Sequence, residues 1–385
     1  MKNLQDIIPK AYFALMFFLT TSIFLSNVSL IILITVALFF GKRVYPLKQT
    51  LFSSLILLFF YVAILSTSTL NLEYKEYLKL LPLVLIPIGM AYIKKDTLLK
   101  GLYFLFAAIL VNQIIALFGI IEYYFFTEGK TVALRSYAGI NEILHFERPY
   151  LGFLSALNII ISYRIFRNFR KWVFVLSSVF SVLIIIIISA RLGLIIALLA
   201  VFVFVLVEIK INLKYLLFFI LALLTSTILF FQSNNPLKNR FQQLKYDTRI
   251  VVWQGAKSIY SKDANPIFGL SSQTEVKNKL LNYYKKEANF DYQPDKTRFI
   301  MKEYNTHNQY INELLRGGLL GLFLLISPFF MALRSSYLEK NIVNALLLLA
   351  VLLFLLVENL LARQMGVYSI AIILSLTRNK SYEST

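Results

Sequence analysis

Apolar runs of bilayer length recur along this chain, each bounded by charge, and that recurrence restricts the fold more than any other feature. Crossing about 30 Å of hydrocarbon takes about 20 apolar helical residues, because in lipid the backbone must satisfy its own hydrogen bonds. The runs lie near 11–25, 28–40, 49–65, 78–92, 101–126, 149–163, 172–188, 192–207, 215–231, 310–333, 342–357 and 365–377. Several are shorter than about 17 residues and need tilt, local thinning or polar extensions to span. The fourth carries Pro82 and Pro87. With 58% hydrophobic residues and only 15% charged, the chain reads as an all-α polytopic membrane protein of about 12 transmembrane helices.

The ends and the cysteine count narrow this further. Lys2 and Lys10 lead into an apolar run that continues past Ser26 and Asn27 without a small-residue cleavage pattern, so the first residues read as membrane helices rather than a removed signal. With no cysteine, disulfides and thiolate metal sites are excluded.

Orientation follows from basic residues. With the N-terminus inside, cytoplasmic segments hold 18 Lys and Arg, among them Arg164, Arg167, Arg170 and Lys171, whereas the short outer segments hold 7. The positive-inside rule then puts both termini in the cytoplasm. Much of the formal net charge of +19 is thus topology signal, and no nucleic-acid partner is expected. The expected organisation is a transmembrane bundle of about nine helices at 1–231, an outer loop domain at 232–308, transmembrane helices 10–12 at 309–377 and a cytoplasmic tail at 378–385.

The loop domain carries 13 Lys and Arg against 7 Asp and Glu, a surface that attracts anions. Leu237, Phe241 and Leu244 within 236–246, and Val276, Leu280 and Tyr284 within 273–288, have helical spacing. Both segments read as amphipathic helices, either lying over the outer mouth of the bundle or resting on the membrane surface.

Candidate chemistry starts at His307, one of 2 histidines, where the loop re-enters the membrane. Thr306 and Gln309 have the spacing of a capping box, which predicts Thr306 as N-cap with His307 in the first helical turn. A helix start favours anions over cations and so suits a neutral imidazole acting as general base, or an anionic substrate group. The alternative is a capping histidine without chemistry.

Arg191 lies at the outer end of a hairpin with almost no loop, where it either faces a cavity or snorkels to headgroups; Ser189 is positioned to cap the following helix. Arg249 follows Asp247, a candidate cap, and Pro266 to Gly269 end that segment in a turn. The topology puts Arg191, Arg249 and His307 on one outer face, two phosphate-gripping forks beside one base. No Asp-x-Asp, Walker loop, nucleophile elbow or His-Glu-x-x-His occurs, so neither a cofactor nor a metal is expected.

These residues carry a resemblance. The run His307-Asn308-Gln309-Tyr310-Ile311, with Leu314-Leu315 and Gly317-Gly318-Leu319-Leu320-Gly321, resembles the signature of the O-antigen ligase and O-antigen polymerase superfamily. Arg249 to Trp253 with Asn265-Pro266-Ile267-Phe268-Gly269 resembles its large periplasmic loop, and Ser189 to Gly193 its outer arginine corner, although Ala190 and Leu192 depart from the usual Ser-Arg-Gly. The resemblance implies a bacterial inner-membrane, multi-pass, GT-C type fold with the active site facing the periplasm. It implies a metal-independent inverting glycosyltransferase whose donor is a glycan on undecaprenyl diphosphate and whose acceptor is a hydroxyl of lipid A-core or another glycan. On that footing His307 is the base, and Arg191 and Arg249 hold the diphosphate. Asn308, His145 and Arg148 are possible secondary residues, His145 and Arg148 standing where an acceptor could enter or where Glu147 pairs locally. Glu358 and Arg363 bracket the last outer turn and are expected to pair with each other or meet water; Gly317, Gly318 and Gly321 are expected to permit close helix packing. Within the superfamily, a repeat-unit polymerase or a protein O-oligosaccharyltransferase are alternatives to a ligase. A transporter of lipid-linked glycan is the alternative from another class; it predicts midplane polar residues and internal repeats, neither evident in the sequence.

Overall fold

The computed structural model describes residues 5–44, 78–126, 144, 147–209, 248–290 and 293–377. The runs expected near 49–65 and 215–231, the helix expected at 236–246, Asp247, His145 and the tail at 378–385 lie outside the described residues.

Within them the chain is helical: α1 (Ile7–Phe18), α2 (Ile23–Phe40), α3 (Pro82–Met90), α4 (Lys95–Phe126), α5 (Arg148–Phe166), α6 (Lys171–Ile187), α7 (Arg191–Ile209), α8 (Thr248–Lys262), α9 (Gln273–Lys286), α10 (Gln293–Met301), α11 (Gln309–Leu338), α12 (Ile342–Leu355), a 3-10 turn (Leu360–Ala362) and α13 (Gln364–Thr377). Among the described residues 5 helices, α2, α4, α5, α7 and α11, are long and apolar enough to cross a membrane. The other described runs coincide with shorter apolar helices. The α1/α2 boundary falls earlier than Ser26 and Asn27, because Ser22 takes an extended conformation and its side chain accepts the Leu25 N–H as a cap.

The bundle is organised around α5, which is buried at each position from Tyr150 to Phe166 except Arg164. Phe153 stacks on Phe354 of α12 at 4.3 Å between ring centroids, and Tyr163 on Phe204 of α7 at 3.7 Å. Near its start α5 meets α7 at small residues: a Cβ on Gly193 would lie 2.6 Å from the Gly152 carbonyl oxygen, so no larger residue fits the crossing. By contrast α6 exposes Val175, Leu176, Val179, Leu183 and Ile186, an apolar stripe that suits lipid and not water.

Neutral polar residues do occur inside the bundle, contrary to the reading of the sequence. Gln113 of α4 donates to Ser155 of α5 (2.9 Å) and Ser181 of α6 (3.0 Å), and Asn112 donates to the Thr20 carbonyl (2.8 Å). Such bonds join helices in an apolar medium where the hydrophobic effect cannot.

Beside the bundle, α8, α9 and α10 form a lobe with its own core of Val252, Ala256, Ile259, Val276, Leu280, Tyr284 and Phe299, joined by Leu315 from α11. The Val276, Leu280 and Tyr284 face is the one that the spacing predicts. Ser272 caps α9 by accepting the Glu275 N–H, and Lys285 and Lys286 sit in its last turn, where the helix dipole favours cations. Burial pushes the Tyr284 phenol well above the usual tyrosine range, so it stays neutral and donates to the Tyr304 carbonyl at 3.1 Å.

A candidate active site at a broken helix

The main departure from the expected spans is in α11, which is two helical segments interrupted at Gly318 (φ 62°, ψ −156°), a conformation open essentially to glycine alone. A break frees backbone groups on both sides, and 265–271 takes them up. Leu270 and Ser271 N–H donate to the Leu315 and Arg316 carbonyls (2.8 and 2.7 Å), while Leu319 and Leu320 N–H donate to the Pro266 and Ile267 carbonyls (2.9 and 3.1 Å). The Asn265-Pro266-Ile267-Phe268-Gly269 turn is thus a plug seated in a broken membrane helix. Gly318 serves the break rather than the helix packing expected of it: a Cβ there would lie 2.3 Å from the Ile267 carbonyl.

The first segment of α11 begins two residues later than predicted. Asn308, with extended backbone (φ −157°), is the N-cap and accepts the Ile311 N–H. Thr306 cannot serve, because its buried hydroxyl is held by the Asn308 carbonyl (3.0 Å) and the Asn359 side chain (3.1 Å). His307 therefore precedes the helix, in a left-handed conformation (φ 44°) supported by its N–H donating to Asn305 Oδ1 at 2.9 Å. Holding a non-glycine residue there costs about 1–3 kcal/mol, strain that clusters at functional positions.

The His307 ring is partly exposed, 5.2 Å from the Tyr304 ring, which itself stacks on Phe299 at 4.4 Å. Its Nδ1 lies 3.4 Å from Oε2 of the buried Glu358, within ion-pair range but off line for a hydrogen bond. A carboxylate on the Nδ1 side favours the tautomer with the proton on Nδ1 and leaves Nε2 as acceptor. The expected pairing of Glu358 with Arg363 is not made; Arg363 instead pairs with Glu147 at 2.7 Å, 216 positions away in sequence. Gln309 fixes the turn that carries Glu358, since its Oε1 accepts the Leu361 N–H at 2.9 Å.

Arg249 is half-buried in the first turn of α8, four residues before Trp253 and so on the same helix face, about 6 Å along the axis. Trp253 Nε1 donates to the Thr306 carbonyl at 3.1 Å. That bond carries the Arg249 face of α8 to the His307 loop. Arg191 is exposed at the first residue of α7, and no contact joins it to His307 among the described residues. It stands at the same end of the bundle, where buried Ala190 meets Gly152 and where Glu147, just before α5, reaches Arg363. Ser189 does not cap α7: in left-handed conformation (φ 54°) it closes α6, with its hydroxyl on the Ile186 carbonyl. Arg148 is the half-buried first residue of α5.

Beneath the loop lies a buried charge network. Glu313 is fully buried and accepts from Arg316 (2.8 Å), Gln309 (2.6 Å) and Asn312 (3.4 Å), and Asn312 exchanges hydrogen bonds with Gln273 of α9. It ties lobe, broken helix and Glu358 turn together. The signal for Glu313, Arg316 and Glu358 was present in the sequence: each is an ionisable residue within an apolar stretch, where a lone charge is costly and a partner is expected.

An apolar helical bundle bearing a polar lobe, with a carboxylate beside an imidazole where they meet, defines a helical protein of membrane type with a candidate polar site at the junction. A family model described as O-antigen ligase matches residues 176–326, from α6 through the lobe, the His307 loop and the helix break. Through that segment the chain is similar to the O-antigen ligase family, a match that supports the O-antigen ligase and polymerase superfamily. No curated protein matches the chain.

Proposed function

We propose that the chain is a metal-independent, inverting O-antigen ligase: it moves a glycan from undecaprenyl diphosphate to a hydroxyl of lipid A-core on the periplasmic face of the inner membrane. The observation that carries this reading is the partly exposed His307 imidazole with the buried Glu358 carboxylate 3.4 Å from Nδ1. The hydroxyl oxygen attacks the anomeric carbon as its proton passes to Nε2. Glu358 holds the ring and stabilises the imidazolium that forms, as the acid partner does in a catalytic triad. The bond from the anomeric carbon to the diphosphate oxygen breaks on the opposite face, which inverts the centre, and undecaprenyl diphosphate departs with both electrons of that bond. Arg249 grips the diphosphate through paired N–H donors, with Arg191 as the second guanidinium, and both offset the charge that grows on it. Asn308 holds the helix start beside the base, and Arg148 at the start of α5 lines the acceptor approach.

The domains follow the same division: 1–231 and 309–377 form the bundle, 232–308 the periplasmic domain and 378–385 a cytoplasmic tail. The test is reconstitution of the purified protein with polymer-bearing undecaprenyl diphosphate and lipid A-core. A ligase yields lipid A-core capped with the whole polymer. Lengthening of a lipid-linked chain with no capped lipid A-core would instead identify a polymerase.

A further inference from the structure

The plug in the broken helix presents two large apolar side chains to its surroundings, Ile267 at 55% exposure and Phe268 at 49%. In water a loop tip of that kind is unfavourable, and its backbone is unlike that of a solvated loop. Every N–H from Asn265 to Ser271 has an acceptor: Asn265 on the Gly269 carbonyl (3.1 Å), Ile267 and Phe268 on Asn265 Oδ1 (2.9 and 3.1 Å), Gly269 on the Asn265 carbonyl (2.7 Å), and Leu270 and Ser271 on α11. Pro266 has no N–H, and its carbonyl accepts from both Leu319 N–H and Tyr260 Oη (2.9 Å). Non-helical backbone at membrane depth requires this completeness, since hydrocarbon offers no replacement partners.

The plug also continues a surface. Leu319, Phe323, Ile326 and Phe330 are exposed at helical spacing on the second segment of α11 and form its outward stripe. Leu319 is hydrogen-bonded to the plug, so Ile267 and Phe268 extend that stripe past the break. Lys262 and Asp263, at and just after the end of α8, are exposed and charged, which gives the polar-to-apolar order of a headgroup boundary.

We infer that Ile267 and Phe268 are a membrane foot: they enter the acyl chains of the leaflet on the lobe's side and moor the lobe at a fixed depth. The partner is bulk phospholipid hydrocarbon. The inference uses the α11 span and the plug, and holds whether or not the transferase reading does.

The chain has no cysteine, so single reporters can be placed in the full-length protein. Phe268→Cys, Phe323→Cys and Lys257→Cys, each spin-labelled in phospholipid nanodiscs, give a test position, a membrane reference and an aqueous reference. The expected result is that the Phe268→Cys label loses access to a water-soluble nickel chelate and gains access to oxygen to the level of Phe323→Cys. A label at Phe268→Cys as open to nickel as that at Lys257→Cys overturns the inference. In the unaltered protein, a phospholipid with a photoreactive acyl chain should leave adducts on Ile267 or Phe268; adducts on Phe323 with none on the plug also overturn it.

Discussion

Gly269 and Gly318 approach so closely that a Cβ on Gly269 would sit 2.6 Å from the Gly318 nitrogen, and both have positive φ. The plug and the helix break are therefore one structure, and each glycine is needed for the other's backbone. Gly318→Ala should destabilise the protein by about 3 kcal/mol or more, since left-handed strain and overlap with Ile267 add. Gly321→Ala should cost far less, because there the nearest neighbour is the Glu313 carbonyl oxygen at 3.0 Å and φ is not positive. Thermal unfolding of both variants in detergent checks the order; equal midpoints would mean that the break is not under glycine control.

Glu358→Gln keeps the shape beside His307 and removes the charge that holds the ring. On the triad precedent, turnover should fall by a factor of about 10² to 10⁴ while donor binding is retained. The readout is kcat against KM with a fixed acceptor. A variant with normal kcat would detach Glu358 from the reaction.

Trp253→Phe removes the indole N–H that reaches the Thr306 carbonyl, and so loosens the Arg249 helix from the His307 loop. A neutral hydrogen bond is worth about 1 kcal/mol, so the expected loss in kcat/KM is roughly fivefold. Arg249→Ala should abolish donor retention on nanodiscs, and Arg249→Lys should restore only part of it, because an ammonium lacks the paired donors. Full donor retention by Arg249→Ala would remove this residue from the diphosphate site.

Glu313→Ala leaves the Arg316 guanidinium buried without its carboxylate (2.8 Å in the intact pair) and should cost about 3–5 kcal/mol. The double change Glu313→Leu with Arg316→Met should recover most of that, since apolar residues of similar volume avoid the desolvation penalty. Chemical unfolding of the single and double variants separates the two, and a double variant no more stable than the single one would count against the account.

Much of this was legible in the sequence, for identifiable reasons. Helices come from local periodicity, so the described apolar runs and the Val276, Leu280 and Tyr284 face of α9 could be read directly. The residues at 249–253, 265–269 and 307–321 could be matched as motifs, but not their physical reason: only the fold shows that the second motif is the plug for the break in the third. Gly317-Gly318 in an apolar run reads equally as close packing, because the conformation of Gly318 is set by a partner about fifty positions upstream. The cap shifted from Thr306 to Asn308 because Asn359, 53 residues from Thr306, claims the threonine hydroxyl. Glu358 with His307, and Glu147 with Arg363, are pairings between distant segments with no local pattern to announce them.

The proposed base that activates the acceptor hydroxyl is His307. The direct measurement is glycan transfer from undecaprenyl diphosphate by purified His307→Ala, with chelator present throughout, alongside donor retention by the same preparation. Unchanged retention, turnover lower by a factor of about 10² to 10⁴, and a wild-type rate indifferent to chelator are expected. Transfer by His307→Ala at the wild-type rate, or a wild-type rate that collapses in chelator and returns with a divalent metal, would contradict this assignment.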